Sequence, residues 1–402
     1  MKKAFFAIVS ICVLLCAILA FGADGVCYAA DEKKSDEQIK SELQDAYDKA
    51  VDNLDLSGLQ DYLNSLSQEG REAISISDVR GALKALARGE SEQFFDVFFN
   101  LLAKSAGRYF LGFIPGFITI VIICLLKTML CGLTGDFLNS STTEVVNVVC
   151  YCMAVIVLMS GVVTVIETVS KTIEALVTLS NVLFPILLTL LSALGGNASV
   201  AGYSPLMAVL CGFIMKIVTA VILPAFIACI VFSIVGNVSK TVKIDKLAKL
   251  IKSASSWLIG ICFGLFATFL TMQGISGGVV DKFGFNIAKF AVSSYVPILG
   301  GYLSDGFDLM TASLVLVKNA VGYTGAMLMC ATVAFPLVKV IIFSLTTRLA
   351  GAIAEPIGEQ RVSTLLGDVA KNLNLLITAL AGVAFLFFLM LMLFVSSCNM
   401  GL

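Results

Sequence analysis

Histidine is absent from the 402 residues. Without it the chain has no ordinary general base near pH 7, no Ser-His or Cys-His nucleophile pair and no imidazole metal ligand. The 12 cysteines supply no substitute. Cys12, Cys16 and Cys27 fall near the N-terminus, and most others, such as Cys124, Cys211 and Cys330, sit in or beside apolar segments. There cysteine acts as a small hydrophobe. Cys150 and Cys152 would diverge on a helix, and the polar stretch from Asp31 to Lys104 has no cysteine to build a disulfide framework. The chain has no G-x-x-x-x-G-K-[ST] loop, no H-E-x-x-H and no paired-aspartate motif in its apolar stretches. We therefore expect no catalytic, cofactor or metal site, no nucleic-acid partner and no enzyme.

Lysines in apolar surroundings are what remains. Lys216 lies near the middle of "AGYSPLMAVLCGFIMKIVTAVILPAFIACIVFSIVG", Lys318 precedes Asn319 in "VLVKNAVGYTG", and Lys339 follows Pro336. A lysine at mid-membrane costs roughly 2.5–3.5 kcal/mol on insertion scales, so it is expected to face a partner or a water-filled cavity. Lys339 has the alternative of reaching an interface along its methylene stem. Asn319 is a hydrogen-bonding neighbour for Lys318, and Glu167 and Glu174 are possible counter-charges.

These residues must be positioned by membrane helices. The chain is 58% hydrophobic and 14% charged, against roughly 25% charged in soluble domains. Several apolar stretches reach the ~20 residues that cross about 30 Å of hydrocarbon. Lys2 and Lys3, the apolar "AFFAIVSICVLLCAILAFG" and the small residues up to Ala29 read as a signal peptide over 1–29; an uncleaved first helix is the alternative. Residues 30–105 then read as a helical extracytoplasmic segment, and Asp31 to Lys104 carries net charge −7. Within it "SEQFFDVFFNLLAK" places Phe94, Phe95, Phe98, Phe99 and Leu102 on one helical face. That face suits the membrane interface or packing against its own small domain.

The membrane domain, 106–402, offers candidate spans at about 110–133, 145–167, 175–194, 201–236, 254–273, 286–303, 308–347 and 373–396. The class expected is all-α: a polytopic helical membrane protein of about six to eight spans with broken or re-entrant helices. The linker over 240–252 carries Lys240, Lys243, Lys246, Lys249 and Lys252 at every third position, marking the cytosolic side. An odd number of crossings must precede it if residues 30–105 lie outside, yet the four candidates before it make an even number.

The proline pattern points to a duplication. "FPILLTLLSALGG" begins at Phe184, and "VPILGGYLSDG" at Val296 repeats P-I-L, three residues, L-S. Pro297 follows Pro185 by 112 positions, as Pro336 follows Pro224. Two units, 145–240 and 257–350, are expected, with Pro185, Pro297, Gly300 and Gly301 shaping interrupted helices. Repeats with interrupted helices in matching places mark transport paths; convergent helix-breaking is the alternative. At the same offset the counterparts of Lys216, Lys318 and Lys339 are Leu328, Leu206 and Ile227, so the charges lie outside the shared scaffold.

"LSNVLFPILLTLLSALGG", "GISGGVVDKFGFNIAKFAVSSYVPILGGYLSDGFD", "LVKNAVGYTGAMLMC" and "LARGESEQFF" together resemble the stage III sporulation protein AE family over nearly the whole chain. The resemblance implies a subunit of the channel-like complex that joins the mother cell to the engulfed forespore. It implies location in the mother-cell membrane around the forespore. The implied partners are the other proteins of the stage III sporulation A operon and a forespore membrane protein across the intermembrane space. A secondary permease moving a solute or ion through the repeat interface is the second reading.

Overall fold

The computed structural model describes residues 36–74, 78–87, 93–133, 140–238, 245–295 and 300–397. Every regular element among them is helical: α1 (Asp36–Asp52), α2 (Ser57–Ser65), α3 (Gln68–Ile74), α4 (Val79–Ala87), α5 (Gln93–Leu133), α6 (Ser140–Ala193), α7 (Asn197–Ile217), a π-helical turn (Val218–Ile222), α8 (Leu223–Val238), α9 (Asp245–Tyr295), α10 (Gly300–Ala354) and α11 (Gln360–Ser396). Six stretches are long and apolar enough to cross a membrane: in α5, in α6, through α7 and α8 together, and in α9, α10 and α11. The class is the all-α polytopic one read from composition. The stretch 1–29 that reads as a signal peptide and Pro297 lie outside the described residues.

Two expected breaks are not breaks. The segments 145–167 and 175–194 form one 54-residue helix, α6. Pro185 lies inside it, but its ring is exposed and so is Asn181, whose carbonyl would have received the missing N–H. Outward placement of both keeps the core side of the helix intact. The segment 254–273 and most of 286–303 likewise join in α9, and α10 starts at Gly300. The interruption expected in 201–236 does occur, as the five-residue π turn just before Pro224. A wider turn there relieves a proline that has no N–H to give. Three membrane-length stretches therefore precede residue 245, which removes the even count.

Helix directions follow from the contacts. Phe98 of α5 packs edge-on against Phe335 (ring centroids 5.9 Å), Phe113 packs against Phe343 (5.0 Å), and Thr128 Oγ1 donates to Ile357 O (3.0 Å). So α5 runs parallel to α10. A Cβ on Gly161 would lie 2.5 Å from Phe343, and one on Gly325 would lie 2.3 Å from Leu183, so α6 runs antiparallel to α10. Ser344 Oγ donates to Ala370 O (3.2 Å) and Gly322 meets Val395, which closes the α10–α11 hairpin. At Gly322 and Gly325 the missing side chain lets helices approach to the distance that membrane packing uses. The hairpin is the centre of the molecule, and much of its length, such as Val321, Leu337, Leu376 and Phe387, is buried.

Helices α1–α4 are docked on this bundle. The Tyr62 hydroxyl meets Thr332 Oγ1 (2.8 Å), Arg108 Nη1 donates to Glu69 (3.0 Å), and Gly58 abuts Val182. The "FFDVFFNLLAK" stretch is the start of α5 itself: Phe98 is buried and Phe99 exposed. These helices therefore gather at the N-terminal end of α5. The α10–α11 turn lies at the other end, whereas Lys252, bonded to Lys371 and Asn372, is level with the middle of α5.

An exposed apolar belt surrounds part of the bundle. On α5 it runs from Leu111 to Leu130, and on α6 from Val145 to Val163. At roughly 1.5 Å per residue these are about 27–29 Å tall, close to the ~30 Å of bilayer hydrocarbon. Gly116 faces Val157, so the two belts lie at one height.

Candidate functional site

Buried polar groups in such a bundle must be bonded, and three sets are. The first lies at the C-terminal end of α5. Lys127 forms an ion pair with Glu359, their side chains only 12% and 5% exposed. Gly358 turns the chain at φ 92°, where a side chain would be strained, and Glu359 N–H donates to Ala354 O (3.2 Å). The pair ties the first long helix to the α10–α11 turn.

The second joins α8, α9 and α11. Lys252 Nζ donates to Lys371 O (2.6 Å) and Asn372 Oδ1 (3.0 Å). Asn372 Nδ2 donates to Ser233 Oγ (3.2 Å), and Ser233 Oγ donates to Cys229 O (2.9 Å). The third lies at the opposite end of the hairpin. Lys318 is fully buried, and its Nζ donates to the Ser397 carbonyl. Ser397 Oγ donates to Leu393 O (2.7 Å), so the Tyr203 hydroxyl at 3.0 Å donates to Ser397. The Tyr203 ring packs on Phe394 (4.9 Å). Nearby, Asn319 Oδ1 and Thr324 Oγ1 are buried without a hydrogen bond among the described residues.

The lysines singled out in the sequence do not converge. Lys318 is buried at Ser397, Lys339 is half-buried about 31 Å further along α10, and Lys216 is exposed on α7. Glu167 and Glu174 are exposed on α6 and pair with none of the three. Lys246 and Lys249 are exposed, Lys252 is bonded to α11, and Lys240 and Lys243 lie outside the described residues. Gly300 and Gly301 open α10. Sequence reasoning missed Lys127, Glu359 and Asn372. A lysine at the end of an apolar span facing a Gly-Glu turn was the available signal.

The family model of stage III sporulation protein AE matches residues 77–398. The chain belongs to the stage III sporulation protein AE family. Stage III sporulation protein AE of Bacillus subtilis (strain 168) is 23% identical over 393 residues, which covers 96% of this chain and 97% of that protein. No solved structure matches. The family is a sporulation family and not one of known enzymes, and the match extends through all six long helices and the three polar sets.

Proposed function

We propose that this chain is a non-enzymatic membrane subunit of a channel-like complex linking mother cell and forespore, needed for forespore development after engulfment. In this reading it sits in the mother-cell membrane around the forespore. Helices α1–α4 face the intermembrane space, and Lys246–Lys252 face the cytosol. Its partners are the other proteins of the stage III sporulation A operon and a forespore membrane protein. Membership of the sporulation family supports the setting.

One observation favours a subunit over a self-sufficient permease. The α10–α11 hairpin is filled on both sides by apolar side chains, and the three buried polar sets bind it to other helices rather than line one path. A permease needs a midplane site that alternately opens. Purified protein in liposomes is expected to pass no small solute or ion alone. Flux through the isolated protein would establish the permease instead.

A further inference from the structure

Along the bundle, α9 alternates between charge and apolar surface in the reverse order from α5 and α6. Lys252 bonds Lys371 O of α11, Ser344 of α10 bonds Ala370 O, and Phe343 lies against Phe113 and Gly161. Lys252 is therefore level with the edge of the apolar belt, which runs from Leu111 on α5 and Val163 on α6 toward the α10–α11 turn. Phe263 abuts Gly382, so α9 runs with α11 and leaves the belt behind. Beyond the edge α9 exposes Trp257, Leu258, Ile261, Leu265, Phe269 and Met272. Alongside the belt it exposes Lys246 and Lys249 instead. On α6 the order is opposite: Glu167, Lys171 and Glu174 are exposed beyond the edge.

One bilayer does not serve both sides. At 1.5 Å per residue the apolar faces of α6 and α9 are centred about 29 Å apart in height. Both helices pack on α11, so their axes are at most about 20 Å apart. A slab meeting both faces would lean roughly 55°, beyond the ~40° that membrane helices reach. Lipid at the belt would also bring Lys246 and Lys249 against hydrocarbon, which lysines without partners do not tolerate. Something other than lipid covers α9. Its exposed face is open for a helix: a Cβ on Gly260, on Gly264 or on Gly212 of α7 would meet no atom within 4 Å. Small residues four apart let a second backbone approach closely.

Charge says which helix. Phe213 of α7 packs on Phe266 of α9 (ring centroids 5.0 Å), which joins the two helices into one flank. Lys216 lies one turn further on and roughly 60° round α7. It is exposed, and neither it nor Lys246 or Lys249 has an ion partner among the described residues. From Ala175 to Val280 the chain carries six lysines and one acidic residue, Asp245. A second copy meeting this flank with its own would bring lysines and almost no carboxylates. We propose that α9 from Trp257 to Met272, with Gly212 and Lys216 of α7, docks one apolar helix of a different protein. That helix packs on Gly260 and Gly264 and carries an Asp or Glu at the height of Lys216. That the partner belongs to the sporulation complex rests on the proposed function, whereas the docking face itself does not.

The test places a photo-crosslinking amino acid at Ile261, Leu265 or, as the belt control, Ile156 of the full-length chain in sporulating cells. Adducts are identified by mass spectrometry of the joined peptides. Ile261 and Leu265 should join one other protein, within an apolar stretch that contains an Asp or Glu, and Ile156 should not. Lys216→Glu should lower that adduct at least about tenfold at unchanged membrane level, since like charges set against each other at an interface cost several kcal/mol, and Lys216→Arg should keep it. Gly264→Leu should lower it as much, although the new side chain meets nothing within this chain. An adduct of two copies of this chain, a joined stretch without a carboxylate, or no protein adduct at Ile261 and Leu265 would overturn the proposal. So would an adduct indifferent to Lys216→Glu and Gly264→Leu. Spore counts of a strain lacking the chain report separately on the sporulation role.

Discussion

Glu359→Gln should be among the most damaging single changes in the bundle. It removes the carboxylate charge from the pair with Lys127, and with side-chain exposures of 12% and 5% water screens neither partner appreciably. Breaking one side of a buried pair costs roughly 3–5 kcal/mol, because the remaining charge stays desolvated. Replacing both partners by apolar residues of similar volume is often neutral or stabilising. Lys127→Met with Glu359→Leu should therefore recover most of what Glu359→Gln loses, even though Thr128 keeps its bond to the Ile357 carbonyl in each variant. The assay is reversible unfolding in mixed micelles followed by intrinsic fluorescence, run as a double-mutant cycle. A single variant within about 1 kcal/mol of the parent would refute the reasoning, since that is the worth of an exposed pair. So would a double variant no more stable than the single ones.

Gly322→Leu should displace Val395, whose Cγ2 lies 2.2 Å from the position of a new Cβ, and destabilise the α10–α11 hairpin by about 1–3 kcal/mol; unchanged unfolding would contradict it. Tyr62→Phe should loosen α1–α4 by about 1 kcal/mol, read as faster proteolysis between α4 and α5. Burial pushes the Tyr62 phenol up to about 12. Its contribution to docking should hold below the unfolded phenol's pKa of about 10 and be lost as pH rises through about 12. Lys216→Leu and Lys318→Leu should insert normally and lower heat-resistant spore counts; full yield at normal protein level would make both lysines incidental. Single cysteines at Ser67 and Ser239 should be labelled from opposite sides of the membrane by an impermeant thiol reagent, and equal labelling of both from outside would refute that topology.

The helices themselves were legible, because apolar runs of membrane length leave little else possible. Their boundaries were not. The stretches 145–167 and 175–194 read as separate candidate spans, but Val165, Val169, Ile173 and Leu176 keep the helical period from one to the other and are buried, so the charged residues between them are one face of a continuing helix. The π turn was foreshadowed by Pro224, whereas Pro185 interrupts nothing because its ring faces outward. Partners of the buried groups were out of reach for a different reason. Lys127 and Glu359, or Lys318 and Ser397, are brought together by helix packing, and no local period encodes that contact.

The most direct test of the central claim is deletion of the coding sequence in the host, scored by growth rate, membrane-stain microscopy and heat-resistant spore counts. The account predicts normal vegetative growth, completed engulfment and a loss of spores that the intact chain restores. Parental spore yield, or failure to grow on rich medium, would contradict it.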